Sequence, residues 1–431
     1  MVNRSIVWFR RDLRLSDHPA LAEACADGEV LPLFVVDPAF RTAGAARRAL
    51  LHDCLVALGA ATGGALVIRH GDPTGEIPAL ADEIDASTVY VTKDFGPYGR
   101  RRDELVADAL RGAGRRLHGV GSPYAVDPGR VTKDDGNPYA VFTPFSRRWR
   151  AHGWGSPIEA PRSPEWLDAP SDELFRRPEV TLDVPPAGEA AATERWHRFR
   201  TDDLEYYGQR RDVPAVDGTS RLSPYLKYGL IHPRQLLVDP NPRVEGEAVF
   251  QAELAWRDFY ADVLFRQPHT AWHNLNSAFD DIELDSGPSA RRKFELWCRG
   301  RTGFPIVDAG MRQLLATGWM HNRVRMIVAS FLVKDLHLAW QWGARFFLEH
   351  LLDGDLASNN HGWQWAAGTG TDAAPYFRVF NPSAQQARWD PDGEYVQRWI
   401  PELGTSAYPA PIVDHRIERQ EALDRYRAIL R

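Results

Sequence analysis

SIVWF, at Ser5–Phe9, is the first of five short strand-like runs that decide the fold of the first third of this chain. Three others, with β-branched residues, are Val30–Val36, Ala65–Ile68 and Thr88–Thr92, and a weaker one lies near Arg116–Val120. Helical patterns, such as the one over Ala45–Leu58, separate them. Strands that alternate with helices form a parallel sheet with helices on both faces. The sequence therefore predicts a doubly wound, Rossmann-like α/β domain.

Two turn-forming segments, Gly71–Pro73 and Phe95–Tyr98, come directly after predicted strands. In an open parallel sheet such turns lie at the carboxyl edge, where sheets of this kind bind ligands. The chain contains no G-x-G-x-x-G segment. This argues against an ordinary NAD or FAD site of the Rossmann type in the α/β domain.

The sequence pattern changes twice along the chain. Prolines and glycines dominate from Gly121 to about Ala192, which is typical of a connector with short helices at most. Helical periodicity then continues, for example over Val249–Phe265, Ile306–Leu315 and Asp335–Leu352. We therefore predict an α/β domain over residues 1–125, a connector over 126–192 and an all-α domain over 193–431.

Composition narrows the class of protein. The net charge of −6 means that a polyanionic partner has to meet a local basic patch. Cys25, Cys54 and Cys298 are scattered and in no metal-binding spacing, so we expect reduced thiols in a cytoplasmic protein. The first residues lack the pattern of a signal peptide, and no apolar run approaches the roughly 20 residues that span a bilayer.

The stretch DGDLASNNHGWQW, at Asp353–Trp365, combines carboxylates, amides, a histidine and tryptophans with almost no aliphatic side chains. Such a composition suits a site for a large planar polar ligand, with Asn359, Asn360 and Gly362 as a wall that a ring can approach closely. Trp363 or Trp365 taken alone fits a plain core position equally well. The stretch fails as a calcium loop, since Ala357, Ser358 and Gln364 replace the residues required, and we predict no metal site.

The stretch DGTSRLSPYLKYG, at Asp217–Gly229, places hydroxyl groups before and at the start of a helix. Hydroxyls and free backbone N–H groups at a helix N-terminus form an anion site, to which Arg221 adds positive charge. Tyr207, upstream, is placed to cover such a site. A simple helix cap is the alternative explanation of this stretch taken alone.

Two further stretches combine charge with aromatic rings. ELAWRDFY, at Glu253–Tyr260, puts Glu253 and Trp256 on one helix face, as an amphipathic helix with a surface ion pair also does. Residues 309–333 contain no acidic residue, so their arginines predict a locally basic helix that follows phosphates, with a solvated face as the alternative. We expect His321 in this segment to be a structural histidine.

Taken together, TSRLSPYL, ELAWRDFY, GRTGFPIVDAGMRQLLATGWMHNRVRM and DGDLASNNHGWQWAAGTGTDAAPYFRVFNP resemble the photolyase/cryptochrome family. The resemblance is to its microbial class I cyclobutane-pyrimidine-dimer DNA photolyases. It extends from IVWFRRDLRLSDHPAL at the start to YVQRWIPEL near the end. It implies an amino-terminal α/β antenna domain and an all-α carboxyl-terminal domain that holds FAD.

The resemblance also implies roles for individual residues. FAD is expected to be held by Tyr207, Thr219, Ser220, Arg221, Leu222, Ser223, Phe250, Arg257, Arg325, Asp353, Gly354, Asp355 and Asn359. Within this set, Asp353 is expected to pair with Arg325, and Asn359 to face flavin N5. The DNA side is expected to comprise Arg211, Glu253, Trp256, Asn322, Arg323, Met326, Trp365 and Arg378. Catalytic roles are implied for Glu253, Asn322 and Asn359, with Trp340 and Trp363 as electron carriers.

The implied activity is light-driven repair of a pyrimidine dimer that is flipped out of DNA, by a monomer acting through reduced FAD. Related six-four photolyases carry histidines at the positions of Asn322 and Met326, which favours the cyclobutane dimer. Cryptochromes carry a long signalling tail, whereas about 30 residues follow Leu403 here. A blue-light receptor and a flavin electron-transfer protein without DNA binding are the rival functions.

Two departures from the family pattern concern light capture. The third tryptophan of the photoreduction chain is missing from Asp280–Arg291, so Trp342 is considered as the end of the chain. The folate-binding relatives have Glu where this chain has Gly99, whereas the loop Asp94–Gly96 matches the deazaflavin-binding relatives in its first residue. Deazaflavin is therefore favoured over folate as the antenna chromophore, and an empty antenna site is the alternative.

Overall fold

The computed structural model describes residues 3–238, 241 and 243–429. Its only sheet within these residues contains five parallel strands in the order β3-β2-β1-β4-β5. The strands are β1 (Asn3–Phe9), β2 (Gly28–Val36), β3 (Val67–His70), β4 (Thr88–Val91) and β5 (Arg116–Gly119). The predicted doubly wound domain is therefore confirmed, with boundaries that shift by one to two residues.

Four helices connect these strands and cover both faces of the sheet. They are α1 (Pro19–Asp27), α2 (Ala45–Ala61), α3 (Pro73–Glu83) and α4 (Pro97–Gly112). Ile6, Trp8 and Leu33 point to one face, where they pack with residues of α3 and α4. Val7 and Phe9 alternate with them and point to the other face, since successive strand residues face opposite sides.

The connector contains a full helix, α5 (Phe142–His152), where the sequence predicted short helices at most. Phe145 and Trp149 recur at helical spacing and are buried, and Trp149 Nε1 donates to Asp258 Oδ2 at 2.9 Å. The surrounding prolines and glycines obscure this spacing in the sequence. Tertiary packing therefore stabilises a helix that the local composition does not favour.

The rest of the chain is helical, as predicted. Its helices are α6 (Glu189–Asp202), α7 (Tyr207–Arg210), α8 (Ser223–Tyr228), α9 (Pro233–Leu236), α10 (Glu245–Arg266), α11 (Gly287–Cys298), α12 (Pro305–Thr317), α13 (Asn322–Lys334), α14 (Trp340–His350), α15 (Leu356–Ala367), α16 (Pro382–Trp389), α17 (Glu394–Trp399) and α18 (His415–Ile429). Within the described ranges no helix combines the length and apolar character needed to cross a bilayer.

Two helix predictions need correction. The segment 309–333 is not one basic helix but the end of α12 and most of α13, because Gly318 ends α12 in the left-handed conformation at φ +64°. The segment Asp335–Leu352 is helical only from Trp340, since α13 ends at Lys334. The short break between α12 and α13 places Asn322 at the start of a helix.

The sheet and the helical region share one apolar core. Phe250, Leu254 and Phe259 of α10 belong to the same buried cluster as Val7 and Phe9. Arg11, which follows β1, reaches the other region with Nη2 2.6 Å from Asp355 Oδ2. The carboxyl edge of the sheet therefore lies against the start of α15.

Candidate functional site

The start of α15 is fixed by a side-chain cap. Asp355 accepts a hydrogen bond from the backbone N–H of Ser358 at 3.1 Å. Burial favours a higher pKa for Asp355, but Arg11 and Lys227 outweigh it and hold the pKa of this carboxyl well below its usual range. Asp355 is therefore an ionised cap at the junction of the sheet and the helical region.

One face of α15 is structural, which corrects part of the expected ligand wall. Asn360 donates to the carbonyl of Ala271, and Gln364 Nε2 donates to the carbonyl of Thr270 at 2.8 Å. His361 bonds the hydroxyl of Thr270 at 3.0 Å, and burial lowers its pKa to about 4. These side chains are buried and hold the segment between α10 and α11 rather than a ligand.

The opposite face of α15 borders open space. A Cβ added at Gly362 meets no atom within 4 Å. Asn359 lies on this face, and its Nδ2 donates to the carbonyl of Ala344 at 3.1 Å and to Asn360 Oδ1 at 2.8 Å. With both amide hydrogens engaged, Asn359 Oδ1 remains available to accept a hydrogen bond from a ligand N–H.

The expected pair of Asp353 and Arg325 is confirmed. Arg325 donates through Nη1 to Oδ1 at 3.2 Å and through Nη2 to Oδ2 at 2.8 Å. Ser223 Oγ donates to Asp353 Oδ2 at 2.6 Å. Asp353 thereby links the start of α8 to α13 and to the segment before α15 through a bidentate pair.

The segment TSRLS, at Thr219–Ser223, is held from behind by Arg195, a residue to which no sequence pattern points. Arg195 donates through Nε to the carbonyl of Ser220 at 2.7 Å and through Nη2 to that of Thr219 at 2.8 Å. The backbone N–H groups of Thr219, Ser220 and Arg221 have no protein partner in the described part of the chain. They are free to bind an anion, whereas their carbonyls are turned away from it.

Arg221 contributes less charge to this segment than expected. Its Nε donates to Asp217 Oδ1 at 2.8 Å, and its guanidinium lies 4.2 Å from the ring centroid of Trp319. Its backbone has a φ of +51°, in the left-handed region. Arg221 therefore shapes the turn before α8 while Asp217 offsets its charge.

Three other expected cofactor residues belong to one buried apolar cluster. Tyr207 packs edge-on against Phe250, with ring centroids 5.7 Å apart, and Leu222 is buried in the same cluster. At Gly354 an added Cβ would lie 3.3 Å from Arg47 Nη1, so a larger residue would crowd that guanidinium. The side chains of this cluster are held by packing, which keeps it rigid.

Arg257 lies at the junction of the two regions. Its Nη1 donates to the carbonyl of Pro123 at 2.9 Å, and its guanidinium lies 4.6 Å from the ring centroid of Tyr124. It also lowers the pKa of Asp355 through its charge. The structure thus places Arg257 beside the start of α15, with its own hydrogen bonds given to the carbonyls of Pro123 and, at 3.5 Å, Leu226.

Six of the eight residues expected on the DNA side lie on α10, α13 and α15, and α10 and α15 pack directly together. Glu253 and Arg211 form an ion pair with Arg211 Nη1 2.6 Å from Glu253 Oε1. Trp256 stacks on Phe142, with ring centroids 3.8 Å apart. Asn322 is exposed at the first position of α13, and Met326 and Trp365 are partly buried against a separate apolar cluster that includes Trp297 and Phe331.

The three arginines expected to bind phosphates differ in whether a carboxylate offsets their charge. Arg211 is paired with Glu253, and Arg323 with Asp212 at 2.8 Å. Arg378 is exposed and has no carboxylate partner in the portion of the chain described. Phe377 beside it is 61% exposed. Arg378 is therefore the one of the three whose charge is not already offset.

Comparison with known proteins identifies the family to which this chain belongs. A family model described as "DNA photolyase" matches residues 5–165, and one described as "FAD binding domain of DNA photolyase" matches residues 250–406. A deoxyribodipyrimidine photo-lyase from Synechococcus sp. is 39% identical, over 96% of this chain and 95% of its own length. The chain belongs to the DNA photolyase family.

Solved structures agree with this assignment. A bacterial class III photolyase from Agrobacterium tumefaciens has a TM-score of 0.91 and 35% identity, covering 100% of this chain and 98% of its own. A Synechocystis sp. cryptochrome has a TM-score of 0.89 and 27% identity, covering 98% of this chain and 99% of its own. The present chain is thus an enzyme of DNA repair with an FAD-binding domain.

The residues around the start of α15 and before α8 fit FAD. The open face at Gly362 and the free Oδ1 of Asn359 suit a flat heterocycle. The free N–H groups of the TSRLS segment suit a diphosphate. The two sets belong to adjacent elements, because Ser223 at the end of that segment bonds to Asp353.

The tryptophans considered as electron carriers lie on α14 and α15. Trp363 is 2% exposed and packs edge-on against Phe347 at 5.0 Å and Trp297 at 6.0 Å. Trp340 is buried, and its Nε1 donates to Asn274 Oδ1 at 2.9 Å. Trp342 connects to Trp297 through Phe294, with centroid separations of 5.2 and 5.8 Å. An aromatic path therefore leads from Trp363 to Trp342.

Proposed function

We propose that this enzyme repairs cyclobutane pyrimidine dimers in DNA under blue light, with the dimer flipped out into a pocket beside FAD. The observation that carries the proposal is the direct packing of α10, which bears Glu253 and Trp256, against α15, which bears Asn359 and Trp365. Residues suited to a flavin and residues suited to a pyrimidine pair therefore belong to neighbouring elements.

FAD supplies, when bound and reduced, an excited electron donor for opening of the cyclobutane ring. The chain's own residues bind and orient it. Asn359 Oδ1 would accept a hydrogen bond from an N–H of the flavin ring. The Asp353–Arg325 pair fixes the segment just before α15, the helix that carries Asn359. Tyr207, Phe250 and Leu222 exclude water from one side.

The proposed dimer pocket uses aromatic faces and two polar groups. A dimer inside a duplex is out of reach of a buried site, and flipping it costs least where the damage has weakened stacking. Trp256 and Trp365 offer ring faces, while Glu253 and Asn322 hydrogen-bond the pyrimidine carbonyl and imide groups. Asn322 and Met326, rather than histidines, favour the cyclobutane dimer over the six-four product.

For the antenna we propose a deazaflavin rather than a folate. A crevice at the carboxyl edge of the sheet is lined by Arg10, Arg11, Asp12, Thr92, Lys93, Asp94 and Pro123. At Gly99, where folate-binding relatives carry Glu, an added Cβ would lie 2.1 Å from the Asp94 carboxylate. The Asp94 carboxylate thus takes the space that a longer side chain at this position needs.

The proposed setting is a monomer in the cytoplasm. Burial raises the pKa of Cys25 to about 11 and that of Cys54 and Cys298 to about 12. Because the thiolate is the reactive form, all three thiols are poorly reactive near neutral pH. Sedimentation of the purified protein at several concentrations tests the monomer.

A blue-light receptor is the second candidate function, because the Synechocystis cryptochrome shares the fold over nearly the whole chain. The two functions differ in their product. We expect an oligonucleotide with one thymine dimer to be restored under blue light when FAD is fully reduced, and to stay unchanged in the dark. No turnover with reduced FAD and bound DNA contradicts the repair function and favours the receptor.

A further inference from the structure

A row of alternating charges leads from the proposed dimer pocket to the protein surface. It begins at Glu253, which accepts from Arg211 at 2.6 Å. Asp212, the next residue, accepts from Arg323 through Nη2 at 2.8 Å and Nε at 3.3 Å. The guanidinium of Arg323 lies over Trp389, 4.4 Å from its ring centroid. The row therefore reaches α16 at Trp389.

Trp389 carries a second guanidinium. Arg388 lies over the same ring system, with Cζ 4.5 Å from the centroid. Both contacts fall within the roughly 6 Å at which cations are attracted to aromatic faces. One indole at the end of α16 thus orders two arginines, one connected to the pocket and one at the surface.

The ring of Trp389 is held rigidly. Its Nε1 donates to Gln385 Oε1 at 3.2 Å within α16. The next residue, Asp390, is 3% exposed and accepts from the backbone N–H groups of Tyr395 and Val396 at 2.9 and 3.0 Å. The carboxylate of Asp390 therefore fastens the end of α16 to the start of α17, and Trp389 with it.

The two arginines differ in what they can still bind. Arg323 gives Nε and Nη2 to Asp212. Arg388 is exposed and, over residues 3–238, 241 and 243–429, has neither a carboxylate partner nor a side-chain hydrogen bond. A guanidinium on an aromatic face keeps its in-plane N–H groups free, and these match a phosphate in a bidentate manner.

We propose that Trp389 is a positioning residue that holds Arg388 as a phosphate contact on the DNA strand beside the flipped dimer. The proposal rests on the proposed function, which brings DNA to this surface. Arg323 adjoins Asn322, so the Trp389 contact lies next to a residue of the dimer pocket. Because phosphates occur in every DNA, Arg388 contributes equally to damaged and undamaged duplex.

The test uses full-length protein and two duplexes that are identical except for one thymine dimer. Affinity is measured at several salt concentrations for the wild type, Arg388→Gln, Trp389→Leu and Trp389→Phe. Loss of one phosphate contact reduces the slope of log affinity against log salt by about 0.9. We expect Arg388→Gln and Trp389→Leu each to bind both duplexes about five- to tenfold more weakly, with that smaller slope.

Three comparisons separate positioning from a general structural effect. Trp389→Phe retains a smaller ring face, so we expect its affinity and its salt slope to lie between those of the wild type and Trp389→Leu. The double variant Arg388→Gln/Trp389→Leu is expected to be no weaker than Arg388→Gln alone. Arg101→Gln, which removes an exposed arginine on α4, is the control and should bind like the wild type.

An unchanged salt slope in Trp389→Leu, or losses that add in the double variant, overturns the proposal. If Trp389→Leu fails to fold, the double-mutant comparison uses Trp389→Phe instead. Its weaker ring face predicts an intermediate slope of log affinity against log salt. The proposed function fails separately, when the wild type shows no preference for the dimer. The contribution of Arg388 remains measurable in that case on the undamaged duplex.

Discussion

Phe142 and Trp256 lie nearly parallel, with ring centroids 3.8 Å apart and an interplanar angle of 7°. The backbone N–H of Phe142 donates to Asp372 Oδ2 at 3.2 Å, and Thr371 Oγ1 donates to the carbonyl of Ala140 at 2.8 Å. The connector and the loop after α15 therefore meet at the proposed dimer pocket. Phe142 covers one face of Trp256, which leaves the other face for a flipped pyrimidine.

Replacing Phe142 with Leu should weaken binding of dimer-containing DNA. The stack contributes about 0.5–1.5 kcal/mol beyond its buried area, so we expect a loss of about two- to tenfold for damaged duplex and little change for undamaged duplex. Competition binding with both duplexes measures the ratio. Phe40→Leu, in a looser stack on Phe34 in the α/β domain, is the control. An equal loss on both duplexes contradicts the role of the stack.

Glu253→Gln should lower repair more than binding. The amide keeps the shape of Glu253 but loses the charge that is paired with Arg211 at 2.6 Å. We expect the repair yield per absorbed photon to fall about tenfold, the scale of one hydrogen bond to a charged group. Arg211, freed from its partner, should bind undamaged DNA more tightly, with a steeper salt dependence.

The matched control for Glu253→Gln is Glu245→Gln, which removes the same charge from an exposed position on the same helix. It should leave repair yield at the wild-type value. Parallel losses of yield and affinity in Glu253→Gln refute a role for this carboxylate in the chemical step. Steady illumination with counted photons, at protein in excess over DNA, keeps the two quantities apart.

Patterns of hydrophobic residues predicted the sheet, because buried parallel strands require short β-branched runs whatever else surrounds them. The pair of Asp353 and Arg325 was also expected, from family resemblance rather than from spacing, since 28 positions separate the two. By contrast, α5 was missed because its stability comes from the burial of Phe145 and Trp149 against α10. Local composition records propensity and does not record such contacts.

The candidate site, like the fold, was predictable from the sequence only in part. Asn359 and Asn360 are neighbours with identical side chains, yet one borders the open face of α15 and the other is fully buried. Helical rotation of about 100° per residue separates them, so the sequence alone left both as wall residues. Arg195 gave no signal, because only the fold brings α6 behind the TSRLS segment.

Asp353→Asn should lower both stability and flavin retention. Asp353 is 4% exposed and Arg325 25%, so the cost should fall somewhat below that of breaking a fully buried pair, about 2–3 kcal/mol. Ser223→Ala is the control, since it removes one hydrogen bond to the same carboxylate and should cost about 1 kcal/mol. Thermal unfolding and the ratio of flavin to protein after gel filtration measure both effects. Equal losses of stability in the two variants would contradict a larger contribution from the ion pair than from the Ser223 hydrogen bond.

Asp258→Asn should change how stability depends on pH. Burial raises the pKa of Asp258 to about 6 from a model-compound value of 3.8. Between these values the folded state binds more protons than the unfolded state, so this group's contribution falls as pH rises and stays low above pH 6. The difference amounts to about 3 kcal/mol.

Asparagine cannot ionise and still accepts hydrogen bonds from Val126 N–H and Trp149 Nε1, which Asp258 Oδ2 accepts at 3.0 and 2.9 Å. We therefore expect the melting temperature of Asp258→Asn, relative to the wild type, to rise from about pH 4 to about pH 6 and then to level off. A constant offset between the two melting curves over this range would show that Asp258 does not titrate there.

Asn359→Asp should alter which oxidation state of the bound flavin persists in air. In the wild type both amide hydrogens are engaged, by the carbonyl of Ala344 at 3.1 Å and by Asn360 Oδ1 at 2.8 Å. A carboxylate at this position faces two acceptor oxygens and repels them, so it either turns toward the open face or takes up a proton.

Either change places a different charge or donor beside the proposed flavin ring, and the absorption spectrum of the aerobic protein reports it directly. Ser358→Ala, one position earlier on the same helix, is the control, because the Ser358 hydroxyl has no hydrogen bond within the described residues and Asp355 accepts from the backbone N–H instead. We expect its spectrum to match that of the wild type. If Asn359→Asp also keeps the wild-type spectrum with FAD bound, Asn359 does not contact the part of the ring that changes on reduction.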